Sequence, residues 1–190
     1  RELAAGEARR AALEQMQART QQSGKLPEWL QRHGLDQAQP LWQQIHVEAG
    51  WESAVEAVLR ERLSAIACED TAKLDEWLHD RPDAHLSVIL PNDQIFDTKT
   101  ASTVTNLNQR VRSDNPALAS VLIDWLGSVW TAETLDVALS QRNDLPSGIA
   151  LVTKAGDILT RSSLTFFAPD KSEHGLLERQ REIETLGEDI

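Results

Sequence analysis

Both ends of the chain have the sequence pattern of helices that bury little by themselves. Residues 1–24 are rich in Ala, Glu, Gln and Arg and contain no proline, which favours a helix. Residues 176–190 carry apolar side chains at a seven-residue spacing with charged neighbours, as one strand of a coiled coil does. We therefore expect a globular body flanked by two antiparallel coiled-coil helices. Their expected contact positions are Leu3, Leu13, Met16, Leu176, Ile183, Leu186 and Ile190.

Three long stretches of the body repeat apolar residues with the 3.6-residue period of a helix. The clearest of them covers residues 51–66. A second stretch starts at Pro116, with Asp114 or Asn115 as the expected cap. A third stretch follows Thr131, whose hydroxyl is the expected cap. The body therefore contains at least three amphipathic helices.

Strand-like segments lie between and after these helices. Residues 85–91 read as a buried strand that a proline turn closes. Residues 149–153, 158–161 and 164–168 are rich in β-branched and aromatic residues, and a turn is expected at 155–157, so they predict a meander. Helices and strands in this order predict a mixed α/β (α+β) fold.

The composition limits the class of protein. A hydrophobic fraction of 41% and six Trp favour a folded domain over a disordered chain. Neither an 18-residue apolar run nor a signal-peptide pattern is present, so we expect a cytoplasmic protein without a membrane segment. The single Cys68 fits a reducing compartment and is expected to be buried. Because Arg1 lies inside a helical pattern, we expect a fragment of a longer protein.

Catalytic signatures are weak. The sequence contains neither a phosphate-binding glycine loop nor a nucleophile elbow, so no catalytic or cofactor-binding residue and no cofactor are predicted. The best metal candidate is the segment "HDRPDAH", whose ligand types suit a metal although their spacing matches no closed zinc pattern. Its candidate ligands are His79, Asp80, Asp83 and His85. The other histidines, expected at the surface or at helix caps, are His33, His46 and His174.

Four segments, in this order, resemble the hinge domain of bacterial SMC (structural maintenance of chromosomes) proteins, most closely a proteobacterial type. They are "GWESAVEAVLRERLSAI", "SVLIDWLGSVWTAETLDVALS", "IALVTKAGDILTRSSLTFF" and "GLLERQREIETL". The resemblance spans roughly residues 38–186. It implies two α/β lobes that pair with a second copy into a ring-like homodimer, largely by strand pairing between subunits.

The resemblance also implies a division of the chain. The expected parts are an N-terminal arm and connector (1–37), lobe I (38–104), lobe II (105–170) and a C-terminal arm (171–190). The arms would lead to ATPase head domains that bind ATP and a kleisin, neither of which this fragment would bind. The whole protein would condense and segregate chromosomes at the nucleoid. This fragment itself is expected not to be an enzyme.

The chain departs from the family near the expected dimer contact. Many SMC hinges carry a Gly-Gly pair in the last strand, whereas this chain has Ser162–Ser163 followed by bulky residues. Leu164 and Phe166 would share one face of that strand, and at least one Phe is as well explained by core packing. The candidate interface residues are Gly148, Ser162, Ser163, Leu164, Phe166 and Phe167.

DNA contact is a further expectation, and it would be weak. The net charge of −11 opposes strong binding to phosphates, and solvated surface charge explains the same basic residues. The candidate contacts are Lys99, Arg110, Arg112, Lys154, Arg161 and Lys171. Two rival functions stay open from the sequence: a small acidic metal-dependent enzyme that uses "HDRPDAH", and a coiled-coil adaptor whose head binds another protein.

Overall fold

A computed structural model describes residues 10–15, 25–90, 105–168 and 175–188. The helices are α1 (residues 10–15), α2 (Leu26–Arg32), α3 (Glu52–Leu59), α4 (Lys73–Trp77), α5 (Pro116–Leu126), α6 (Leu135–Gln141) and α7 (Leu176–Glu188). The strands are β1 (His46–Val47), β2 (Ile66–Ala67), β3 (Val88–Ile89), β4 (Val111–Arg112), β5 (Val129–Ala132), β6 (Ala150–Thr153), β7 (Ile158–Leu159) and β8 (Leu164–Thr165). The predicted mixed α/β fold is confirmed.

The two lobes repeat one order of elements. Lobe I runs β1-α3-β2-α4-β3, and lobe II runs β4-α5-β5-α6-β6. In each of these two runs the last two strands, β2 and β3 or β5 and β6, are parallel and a helix connects them, as the geometry of a parallel pair requires. The two lobes are joined by the antiparallel pair β1–β4, in which His46 lies opposite Arg112 and Val47 opposite Val111.

Lobe II extends its parallel pair into a four-stranded sheet with the order β5-β6-β7-β8. Strand β7 is antiparallel to β6, with Leu151 opposite Leu159. Strand β8 is antiparallel to β7, with Leu159 opposite Leu164. Within the described ranges no strand pairs with the outer side of β8, so β8 is an edge strand.

One central core crosses the predicted boundary between the lobes. It includes Trp51 just before α3, Leu107, Leu126 of α5 and Val152 of β6, all of which are buried. A second cluster lies under α2 and contains Trp29, Leu35, Ile66, Cys68 and Trp77. A third lies under α6 and contains Ala132, Ala138, Leu145, Leu151 and Leu159. The burial predicted for Cys68 is confirmed.

The helix predicted over 51–66 is shorter than the stretch of periodically spaced apolar residues that predicts it. It ends at Leu59, Arg60 has a φ of +46°, and a 3-10 helix follows over Arg60–Ser64. Ile66 then enters β2, where its N–H donates to the Ser87 carbonyl at 3.1 Å. The prediction for Ile66 was wrong because pairing with a distant strand outweighs the local helical period.

Of the N-terminal caps predicted for α5 and α6, the first is confirmed and the second is wrong. Asn115 caps α5, since its Oδ1 accepts a hydrogen bond from the Ala117 N–H at 3.0 Å. Thr131 does not cap α6, because it lies in β5 and its hydroxyl donates to the Thr105 carbonyl at 2.9 Å. The cap of α6 is Thr134, which accepts from the Val137 N–H.

In the part of the chain that the structure describes, no helix is long and apolar enough to cross a bilayer.

Candidate functional site

Among the described residues, the backbone on the outer side of β8 has no strand partner, and apolar side chains are exposed there. The Thr160 N–H donates to the Ser163 carbonyl at 2.9 Å, and antiparallel pairs alternate between bonded and non-bonded. The next pair, Leu159 with Leu164, is therefore non-bonded, so the backbone groups of Leu164 face the open side. The Leu164 and Phe166 side chains are 37% and 67% exposed. This arrangement is typical of a strand that can pair with another chain.

The Ser162–Ser163 pair closes the hairpin between β7 and β8. The Thr160 hydroxyl oxygen accepts hydrogen bonds from the Ser162 and Ser163 N–H groups at 3.3 and 3.0 Å. The Thr160 and Ser163 hydroxyls also share a hydrogen bond of 2.6 Å. Neither Arg161 nor Ser162 has a positive φ, so the turn does not need the glycines that mirror-image hairpin turns favour. Side-chain hydrogen bonds thus close this turn without glycine.

The structure brings three of the predicted residues together beside this turn. Gly148, Arg161 and Ser162 line one shallow groove with the 146–150 loop. Gly148 has a φ of +81°, a conformation that glycine adopts without strain. The Arg161 carbonyl accepts a hydrogen bond from the Arg142 side chain at 3.0 Å, which holds the turn against the end of α6.

The two phenylalanines after β8 have different surroundings. Phe167 is half-buried, and its N–H donates to the Asp157 carboxylate at 3.1 Å. Its ring lies over Gly156, where an ideal Cβ would be 2.8 Å from the Phe167 Cγ and 2.9 Å from the Ser53 carbonyl. Phe167 therefore packs within its own protomer. Phe166 is the aromatic side chain that the edge leaves exposed.

Two of the candidate DNA contacts lie over the buried Trp51 ring. The Arg110 guanidinium and the Lys154 ammonium lie 5.2 and 5.5 Å from its centroid. Arg110 donates to both oxygens of Glu48 at 2.6 and 2.8 Å, and these hydrogen bonds lower the pKa of the Glu48 carboxyl. Lys154 pairs with Glu133. Both cations therefore carry carboxylate partners, and both link Trp51 of lobe I to lobe II.

The other basic candidates do not gather into one described patch. Arg112 is exposed and lines a groove with His46 and Asp114, whereas Arg161 lies at the β7–β8 turn. Lys99 and Lys171 lie outside the described residues. The DNA contact stays a prediction.

The "HDRPDAH" segment is held by structural contacts. The Asp80 carboxylate accepts hydrogen bonds from the His33 ring at 2.9 Å and from Arg32 at 3.0 and 3.1 Å. These hydrogen bonds lower the pKa of the Asp80 carboxyl, and the one from His33 has the larger effect. In the described ranges, which include 79–85, no three His, Cys, Asp or Glu side chains are grouped to hold a metal. The metal-enzyme reading is therefore not favoured.

His33 has one of the two roles expected for it, because it is the C-terminal cap residue of α2. Its side chain is only 10% exposed and its ring centroid lies 4.3 Å from that of Trp29. Trp77 meets both rings edge-on, at 5.5 Å from Trp29 and 6.2 Å from His33. His33 does follow α2 as its C-terminal cap residue, but it belongs to a packed aromatic cluster rather than to the surface.

The helices predicted to form the arms approach each other at one described point. An ideal Cβ at Gly187 of α7 would lie 3.6 Å from the Arg10 guanidinium of α1. Leu13, Ile183 and Leu186 are half-buried. Leu176 packs in the central core, so the first heptad position contacts the body. Leu3, Met16 and Ile190 lie outside the described residues, and the coiled coil stays a prediction.

Sequence reasoning missed two buried carboxylates. Glu52 and Glu56 lie off the apolar stripe of α3 in the sequence pattern, yet both are buried under α7. Glu52 pairs with Arg181, and Glu56 accepts hydrogen bonds from the backbone N–H of Gly175, just before α7, and from that of Leu177 in its first turn. No local signal marks them, because their partners are more than a hundred residues away.

Two repeated α/β lobes between neighbouring helical ends, with an open strand edge, define a hinge-type domain. Residues 35–142 match the model of the SMC proteins Flexible Hinge Domain, which covers more than half of the chain. The chain therefore belongs to the SMC hinge family, and the resemblance seen in the sequence is confirmed.

Known relatives agree with this assignment. The chain is 42% identical over 180 residues to the chromosome partition protein Smc of Burkholderia pseudomallei, covering 95% of this chain and 15% of that protein. It is 40% identical over 188 residues to that of Bordetella petrii, covering 99% of this chain and 16% of that protein. The chain thus spans about a sixth of the length of these relatives.

The fold agrees with solved hinge structures. The crystal structure of an asymmetric dimer of the Geobacillus stearothermophilus SMC hinge domain matches with a TM-score of 0.70 at 19% identity, over 99% of this chain and 82% of that chain. The Pyrococcus furiosus Smc hinge domain with an extended coiled coil matches with a TM-score of 0.56 at 20% identity, over 100% of this chain and 66% of that chain.

Proposed function

We propose that this chain is the homodimerisation hinge of a chromosome partition protein, and that the β8 edge forms part of the contact between two copies. The observation that carries the proposal is the open edge itself, where Leu164 offers unpaired backbone and Phe166 is 67% exposed. A second copy that adds a strand there would satisfy the backbone and cover the ring. The dimeric Geobacillus hinge supports this reading.

The role of the whole protein follows from the same relatives. The two helical ends would continue into long arms, and head domains beyond them would bind ATP and a kleisin. Two copies joined at their hinges would then act in chromosome condensation and segregation at the nucleoid. The chromosome partition proteins that match almost the whole chain support this proposal.

Analytical ultracentrifugation of the chain and three variants tests the dimer. The parent should sediment at twice the protomer mass of 21.2 kDa, and Leu164→Glu or Phe166→Glu should shift it toward the protomer mass because a charge would be buried at the contact. Leu139→Glu is the matched control, since Leu139 is 44% exposed on α6 of the same lobe. A monomeric parent refutes the dimer. A dimer that survives both edge substitutions, with an unchanged circular dichroism spectrum, refutes the edge as its contact.

Weak DNA contact is the second part of the proposal, and it rests on Arg112 and Arg161. Both are exposed, whereas Arg110 and Lys154 have carboxylate partners. Fluorescence anisotropy with a labelled duplex should show affinity that falls steeply as salt is raised. Arg112→Gln and Arg161→Gln should each weaken it, and Arg110→Gln should weaken it less. Equal binding by all variants would contradict this assignment.

A further inference from the structure

Helix α7 begins at a carboxylate that belongs to a distant part of the chain. Glu56, in the middle of α3, is 7% exposed. Its Oε2 accepts a hydrogen bond from the Gly175 N–H at 3.2 Å, and its Oε1 accepts one from the Leu177 N–H at 2.8 Å. The first N–H groups of a helix have no acceptor within the helix. Glu56 therefore accepts from N–H groups at the start of α7, as the side chain of an N-cap residue does.

A second attachment lies one helical turn away. Glu52 precedes Glu56 by four residues, and Arg181 follows Leu177 by four. The Arg181 guanidinium donates to Glu52 Oε1 at 2.6 Å, while Glu52 Oε2 accepts from the Gly50 N–H at 2.7 Å. The two attachments occur in opposite order along the two helices. They therefore fix both the position and the antiparallel direction of α7 on α3.

This attachment lies between the body and the neighbouring helical ends. Leu177 is buried in the central core, whereas Gly187, ten residues later, lies beside Arg10 of α1. Arg181 is between these two positions, and its side chain is 50% exposed. The direction in which α7 leaves the body is thus set at the residues that contact Glu52 and Glu56.

We propose that Glu52 and Glu56 form a latch that holds α7 on lobe I and sets the direction of the helical arms. Release of α7 would break the hydrogen bonds that Glu56 accepts from the Gly175 and Leu177 N–H groups and the ion pair between Glu52 and Arg181. Breaking these polar contacts while α7 still covers the two carboxylates is costly, which disfavours intermediate positions. The latch therefore has an engaged state and a released state. It lies within one protomer, so it stands or falls independently of the dimer contact at β8.

Amide hydrogen exchange of the 190-residue chain tests the contact itself. In Glu56→Gln the Leu177 N–H should exchange at least about tenfold faster than in the parent, because a neutral acceptor replaces a charged one. Arg181→Gln, at an exposed position, should give a smaller acceleration. Glu61→Gln removes the same charge from an exposed residue just after α3 and should change nothing. An unchanged Leu177 exchange rate in both Glu56→Gln and Arg181→Gln would overturn the latch.

Electron paramagnetic resonance distances test the direction of the arm. Spin labels at Ser140→Cys on α6 and Glu184→Cys on α7, with Cys68→Ala and an excess of unlabelled chain, report one distance within a protomer. The parent should give a narrow distribution, and Glu52→Gln/Glu56→Gln should broaden or shift it. Arg181→Gln serves the same purpose if the double variant does not fold. A distribution that stays narrow and unshifted in folded latch variants would refute control of direction by the latch.

Discussion

The two lobes repeat the same order of elements, but they differ in what covers their sheets. Helix α2 of the N-terminal connector covers lobe I: its Trp29 packs against Trp77 over the β2–β3 pair. In lobe II the sheet continues through the hairpin β7–β8, and the outer side of β8 stays open with Phe166 exposed. Aromatic side chains thus stabilise lobe I, whereas lobe II leaves one on its surface. The difference indicates that the sheet of lobe I is covered within the protomer, whereas lobe II offers a strand edge to a partner.

Trp29→Ala tests the covered lobe and should have the largest effect. Trp29 is buried, and its indole N–H donates to the Asp80 carbonyl at 2.7 Å. We expect a loss of about 3–5 kcal/mol in the free energy of unfolding, the usual cost of truncating a buried Trp. Urea unfolding at one fixed protein concentration measures it. Leu78→Ala, at an exposed position of the same lobe, should change the value by less than about 0.5 kcal/mol; equal losses would contradict the contrast.

Gly156→Ala tests the contact that anchors the chain after β8. Gly156 has a φ of +92°, and an added Cβ would meet the Phe167 ring and the Ser53 carbonyl. We expect a loss of about 1–3 kcal/mol from backbone strain, with a further loss from the clash. Gly50→Ala separates the two terms, since Gly50 has a φ of +86° and open space around it. If both variants lose the same free energy, Phe167 does not pack as described.

Phe166→Ser tests the open lobe and should scarcely affect the protomer. Because the ring is exposed, its loss should change the free energy of unfolding of the monomer by less than about 0.5 kcal/mol. The parent's unfolding midpoint should rise with protein concentration, since association stabilises the folded state, and this rise should shrink in the variant. Midpoints that rise equally in both proteins would remove Phe166 from the contact.

Asp80→Asn tests the ion pair that fastens α2 and should have the smallest effect. The pKa of Asp80 is lowered in the folded chain, so its ionised form stabilises the fold above the ordinary pKa of Asp. That contribution is lost as the pH falls through the lowered pKa. The stability difference between parent and variant should therefore shrink as the pH falls below about 4, the ordinary pKa of Asp. A difference that grows on acidification would contradict this sign.

The local sequence predicts elements whose cause is local. The stripe of α5 and its Asn115 cap follow from adjacent residues, and the pattern at 149–168 predicts the hairpin that carries β8. The local sequence does not predict a structure that depends on a partner far away in the chain. Ile66 leaves its helical period to pair with β3, and Glu56 acts on N–H groups 119 and 121 residues later. Likewise, the local sequence at Ser162–Ser163 does not show how the turn closes, because that depends on the hydrogen bonds that both N–H groups donate to the Thr160 hydroxyl.

The exchange rate of the Leu164 amide, measured by NMR across a range of protein concentrations, tests most directly whether the open edge pairs with a second copy. If β8 pairs across the dimer, the Leu164 N–H should be protected at high concentration and should lose protection on dilution, in step with the sedimentation mass. Fast exchange of this amide in a sample whose mass is dimeric would contradict strand pairing at β8.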